Sequence, residues 1–96
     1  MSAPAVVLAT DDAELVRLVR AAFEEEAVPL AVVAPAPARA AAVRSPLGIG
    51  LAARGDRLEL ALATGPDEPW LVDDDPRRLG RIAARLAARR PLGELP

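Results

Sequence analysis

The 96-residue chain contains no cysteine, histidine, lysine or tyrosine, and one phenylalanine and one tryptophan. Without cysteine there is neither a disulfide framework nor thiolate chemistry. Without cysteine or histidine a zinc site of ordinary type is excluded. Ser2, Thr10, Ser45 and Thr64 carry the available hydroxyls, but no histidine or lysine is present to activate them, so catalysis by this chain alone is not expected. Two aromatic side chains are too few to stack a nucleic-acid strand. Charge of one sign is also missing: 12 arginines face 14 acids, for a net charge of −2, which gives no field to hold DNA or a membrane surface. No apolar run approaches the roughly 20 residues needed to span a bilayer. The opening MSAPAVVLAT lacks the basic region of a signal peptide, so a cytoplasmic protein is expected.

Hydrophobic residues make up 52% of the chain, enough for one modest core in a single domain over residues 1–96. Much of that share is alanine, so the core must be built from small pieces. AVVLAT (5–10) is a short buried strand. Asp11 with Glu14 three positions later has the capping-box spacing of a helix start. Leu15, Leu18, Val19, Ala22 and Phe23 then recur at helical spacing, and the helix must stop before Pro29. LAVVA (30–34) is a second strand, and a short alanine-rich helix follows from about Ala38 until Pro46.

LGIGLAA (47–53) predicts a third strand, whose glycines weaken it unless a neighbour packs closely. RGD (54–56) is a turn, and RLELALA (57–63) completes a hairpin. WLV (70–72) is a fifth strand with Trp70 in the core. Asp73, Asp74 and Asp75 precede a helix that Pro76 opens at its natural first position. On that helix Leu79, Ile82, Ala83 and Leu86 face inward, while Arg77, Arg81, Arg85 and Arg89 recur on the outer face as a solvated stripe. The order is β-α-β-α-β-β-β-α, an α/β fold. It predicts a three-layer α/β/α sandwich around a mixed, mostly parallel five-stranded sheet with one antiparallel strand.

VVLATDD followed by a helix is similar to the opening of a response-regulator receiver domain. Asp56, however, falls in a hairpin turn rather than at a strand end, and a lysine-free chain lacks that family's essential lysine.

Glu24, Glu25 and Glu26 pose a sharper question, because carboxylates at a helix C-terminus face its partial negative charge and repel one another. They form either a solvated helix end or a surface that a cation comes to meet. SAPAVVL, FEEEAVPL (23–30), SPLGIGLA (45–52) and RLGRIAARLAARRPLGEL (78–95) come in the order and spacing of the small subunit of diol/glycerol dehydratase reactivases, and the chain resembles that family over nearly its whole length. It departs from the pattern at Ala27, where glycine is common, and in a short C-terminal tail.

The resemblance implies a chaperone-like, non-catalytic subunit, related in fold to the dehydratase medium subunit. It would pair with a large ATPase subunit and serve a coenzyme-B12-dependent diol or glycerol dehydratase, exchanging with a subunit of that enzyme so that damaged cobalamin is released. It also implies that Glu25, the middle residue of the run, reaches a divalent cation, Mg2+, shared with the large subunit. Glu24, Glu25 and Glu26 together would form the partner interface, with no cofactor bound by this chain alone. Two other readings stand beside it: a medium subunit of the dehydratase itself, whose chains are much longer, and a small α/β module that binds a ligand at its strand ends.

Overall fold

A computed structural model describes residues 3–96. The elements follow the expected order: β1 (Val6–Ala9), α1 (Ala13–Glu25), β2 (Leu30–Val33), α2 (Ala38–Arg44), β3 (Ile49–Arg54), β4 (Arg57–Leu62), β5 (Leu71–Asp73) and α3 (Pro76–Ala87). The sheet order is β2-β1-β3-β4-β5. β1 lies parallel to both β2 and β3, while β4 pairs antiparallel with β3 and with β5. β4 is thus the one reversed strand, as the hairpin spacing predicts.

Alternation along the strands sorts side chains onto two faces. Val6, Leu8, Leu51, Leu58 and Leu60 pack against Leu15, Val19 and Phe23 of α1 and Leu79 and Ile82 of α3. Val7, Ala9, Ala52 and Ala61 face α2 and meet Ala38, Ala41 and Ala42. The three layers are therefore unequal, one thick and branched, the other a sheet of methyl groups. The thin layer is possible because Gly50 has no side chain: a Cβ there would lie 2.1 Å from the Ala42 backbone nitrogen. Close packing is indeed the reason for a glycine in this strand.

The fifth strand is one residue later than its sequence predicts. Because side chains alternate, that single step exchanges the two faces. Leu71 and Asp73 turn toward the α1/α3 core, and Trp70 is 42% exposed rather than buried. Proline at 69 delays the strand, and the backbone N–H of Trp70 donates to the Leu60 carbonyl just outside it.

Helix α1 also starts one residue late. Asp12, not Asp11, is the N-cap, accepting from the amides of Glu14 (3.0 Å) and Leu15 (3.3 Å). Thr10 Oγ1 accepts the amide of Asp12 and so fixes the entry of the chain. The shift leaves Glu14 out of register for a capping box, and its carboxylate pairs with Arg17 instead. Asp75 caps α3 in the same way, accepting from the amides of Arg77 and Arg78, with Pro76 at the first turn.

β1 and β5 run in the same direction, and each feeds a helix on the same face, so α1 and α3 lie side by side in the same sense. They cross closely at Gly80, where a Cβ would come within 3.3 Å of Ala22 Cβ. Both end alike. The Val28 amide donates to the Phe23 carbonyl and that of Ala27 to Glu24, while Arg90 donates to Arg85 and Arg89 to Leu86. These are the paired bonds of a Schellman ending, and the residue it places in the left-handed region is Ala27 (φ 56°) in one helix and Arg89 (φ 58°) in the other. Ala27 holds the geometry that glycine adopts more readily, so the helix end keeps its shape despite the substitution.

Candidate functional site

Because α1 and α3 end side by side, the glutamate run lies along the arginines of α3. Arg77, read from sequence as part of a solvated stripe, pairs with Oε1 of Glu25. Arg85 Nε donates to Oε2 of Glu26 at 3.2 Å. Arg90, which the sequence reading did not single out, donates from Nη1 to Oε1 of Glu26 at 3.0 Å and to its backbone carbonyl at 2.6 Å. The first cations to meet the glutamates are therefore the chain's own. Arg85 and Arg90 sit where a helix C-terminus favours positive charge, and they offset both dipoles at that end.

The three carboxylates end in three states. The side chain of Glu26 is 13% exposed with both oxygens engaged. The Arg90 hydrogen bond, ahead of that from Arg85, holds its carboxyl below the ordinary range against the opposing effect of burial. Glu25 is half exposed, and its Oε2 takes no hydrogen bond from any described residue. Glu24 is exposed and makes no ion pair among the described residues. One carboxylate is anchored, one held by a single exposed partner, and one free.

A second charge cluster lies at the start of α3, one residue on from Arg77. Asp73, read from sequence as one of three acids ahead of a helix N-terminus, is buried, and Arg78 grips it through two bonds of 2.6 Å. The Asp75 amide donates a third, at 3.0 Å. The Arg78 hydrogen bonds are the main reason that the Asp73 carboxyl lies below its ordinary value of 3.8, with burial opposing them. That depression stabilises the fold fully above pH 3.8, and the gain is lost as pH falls through the lowered value. Arg78→Met is therefore expected to be clearly less stable than wild type at pH 7. The gap should narrow on acidification below pH 3.8, as urea melts across pH 2–7 will read.

The remaining features place little chemistry together. One cleft, about 500 Å³, is open and is lined by residues such as Leu47, Ile49, Leu62 and Leu86 with Ser45 and Thr64. Ser45 Oγ is committed, donating to the Ala5 carbonyl and accepting the Leu47 amide. Ser2 lies outside the described residues. Asp56 sits in the two-residue turn that joins β3 to β4, immediately before β4, as the hairpin spacing predicts. Among the described residues no group of three or more acids, histidines or cysteines could hold a metal by itself, and no helix is long and apolar enough to cross a membrane.

No family model matches the sequence, and no curated protein does either. Two solved structures do. One, described as the structure of diol dehydratase-reactivating factor complexed with ADP and Mg2+, shares 30% identity and superposes with a TM-score of 0.80 over 97% of this chain and 100% of its own. The other, a glycerol dehydratase reactivase, shares 29% identity, with a TM-score of 0.77 over 96% of this chain and 98% of its own. Identity at that level, sustained from one end of both chains to the other on the same arrangement of strands and helices, is more than a common fold: this chain belongs to the family of diol and glycerol dehydratase-reactivating factors, where it takes the place of the small subunit.

Proposed function

We propose that the chain is the non-catalytic small subunit of a chaperone-like reactivating factor. With a large ATPase subunit it releases damaged cobalamin from a coenzyme-B12-dependent diol or glycerol dehydratase, by exchanging with a subunit of that enzyme. The observation that carries this reading is the end-to-end match to a diol dehydratase-reactivating factor. That match covers 97% of this chain and all of the other.

In this reading the surface that meets the large subunit includes the end of α1, with Glu24, Glu25 and Glu26. Glu25 suits a metal shared between two chains. It keeps one oxygen without a described partner, it is half exposed, and no cluster of acids beside it completes a site within this chain. A hard divalent cation takes oxygen ligands from several sources, and Mg2+ bound there would add the positive charge that a run of carboxylates needs.

The test is reconstitution. An inactivated dehydratase is mixed with the large subunit, ATP and Mg2+, with and without this chain, and recovery of diol dehydration is followed. Recovery is expected only with both subunits present. The chain alone is expected neither to hydrolyse ATP nor to bind cobalamin in calorimetry, and micromolar binding of either ligand by the isolated chain overturns the proposal. Restored activity with the large subunit omitted would instead make the chain a component of the dehydratase itself.

A further inference from the structure

We propose that Arg77 is a built-in competitor for Glu25: it holds the carboxylate in the free subunit and must release it when the large subunit binds through a divalent cation. The inference rests on the shared-metal reading of Glu25 given above and assigns a regulatory role to a residue outside the glutamate run.

The three glutamates are adjacent, yet the fold treats each differently. Glu26 is locked by two arginines, one of which, Arg90, also donates to its backbone carbonyl, so releasing it would uncover a largely buried carboxylate. Glu24 has no cation to displace among the described residues. Glu25 alone is paired to one arginine, with both side chains about half exposed (51% and 43%). A pair in that setting is weak enough to open: an exposed ion pair shifts an equilibrium by at most about fivefold. It is also placed to close again, because Arg77 lies in the first turn of α3, whose backbone is fixed by the Asp75 cap.

A cation on the unpartnered Oε2 would share one carboxylate with the guanidinium on Oε1, and because the two positive charges repel, neither holds Glu25 at full strength beside the other. Binding of the large subunit through the cation therefore favours the opening of this pair, and dissociation is assisted by its return. A reversible internal partner of this kind suits a subunit that must leave one complex to enter another. It keeps Glu25 neutralised in the free chain without committing it.

The test measures affinity of the purified large subunit for this chain, by titration calorimetry or biolayer interferometry in Mg2+ and in EDTA. Arg77→Met, which keeps the length of the stem and removes the charge, is expected to bind two- to fivefold more tightly in Mg2+ and to be unchanged in EDTA. The gain should vanish in a Glu25→Gln background. Arg81→Met removes the same charge one helical turn away from a side chain that makes no ion pair among the described residues. It controls for the change in net charge and should show no gain. Thermal melts establish that each variant is folded. If Glu25→Gln weakens Mg2+-dependent binding while Arg77→Met leaves it unchanged or weaker, the competitor role is wrong and the metal reading stands. If Glu25→Gln itself has no effect in Mg2+, the metal reading falls first and the competitor role with it. An equal gain for Arg77→Met and Arg81→Met would also overturn the pair-specific role.

Discussion

Gly50→Ala is expected to lower stability by at least about 3 kcal/mol, the upper part of the range for forcing extra atoms into a packed core. The added methyl would lie 2.1 Å from the Ala42 nitrogen, 2.6 Å from the Ala38 carbonyl oxygen and 2.7 Å from the Ala41 carbonyl carbon. All three are backbone atoms of α2, so no side chain can rotate away. The helix must lift from the sheet, uncovering Val7, Ala9, Ala52 and Ala61 together. For a domain of this size each kcal/mol is worth about 4–8 °C of Tm, so the melting temperature should fall by roughly 12–24 °C, if the variant folds at all. Two other glycines calibrate the result. A Cβ at Gly55 meets nothing within 4 Å, and its positive φ should limit the loss from Gly55→Ala to about 1 kcal/mol. Gly80→Ala meets the Ala22 methyl at 3.3 Å at the α1/α3 crossing, with Val19 Cα and Cγ1 in ordinary contact at 3.5 and 3.6 Å, and should fall between the two. Equal melting temperatures for wild type and Gly50→Ala would mean that α2 does not pack on the sheet as described.

Glu25→Gln is expected to weaken binding of the large subunit by roughly 30- to 1,000-fold in Mg2+, corresponding to about 2–4 kcal/mol for truncating one member of a desolvated charge pair at an interface. Chelating the metal should remove the difference. Glutamine keeps the length of the side chain and can still accept from Arg77, so the melting temperature of the free chain should barely change. Neighbours in a helix turn by about 100°, and the structure gives the two flanking variants different expected phenotypes. Glu24→Gln should leave both folding and assembly close to wild type. Glu26→Gln should lower stability in either buffer, because Arg85 and Arg90 lose the carboxylate that they share. Equal affinities of wild type and Glu25→Gln in Mg2+ would reduce the glutamate run to an internal anchor for α3.

The order of elements was legible because it is written in local patterns: apolar runs of strand length, a helical stripe, prolines at the boundaries. What the sequence concealed falls into two kinds. The first is register. The capping-box spacing points to Asp11, whereas it is Asp12 that accepts the amides of Glu14 and Leu15, with its own amide held by Thr10 Oγ1. A step of one residue at β5 likewise put Trp70 outside and Asp73 inside, although WLV reads well as a strand. The second kind is contact at long range. Glu25 meets a residue 52 positions away and Glu26 one 59 positions away. The spacing of Arg77, Arg81 and Arg85 is that of any solvated helix face, and nothing local separates a stripe facing water from one lying along a neighbouring helix. That distinction depends on how α1 and α3 cross, which Gly80 and Ala22 determine. Gly50 was partly legible, since a glycine inside a strand points to close approach, but the sequence did not say that the approaching group is helix backbone. The role proposed for Glu25 comes from family resemblance and not from any local pattern.

The paired helix ends also bear on how quickly a partner can find this surface. In sequence EEE is a concentrated negative block. In the folded chain three arginines of the α3 segment lie against it, so that Glu24, Glu25 and Glu26 with Arg77, Arg85 and Arg90 make a patch of no net charge. Opposite charges held this close cancel within a few ångströms, well inside a Debye length of about 8 Å at physiological ionic strength. An approaching subunit therefore feels almost no pull from the glutamates until it is nearly in place. Encounter should proceed at the pace of unassisted diffusion, about 10⁵–10⁶ M⁻¹s⁻¹, and discrimination between partners falls to the lifetime of the complex rather than to its rate of formation. Under the partner exchange proposed above, that arrangement would leave the length of each stay under the control of whatever opens and closes one carboxylate.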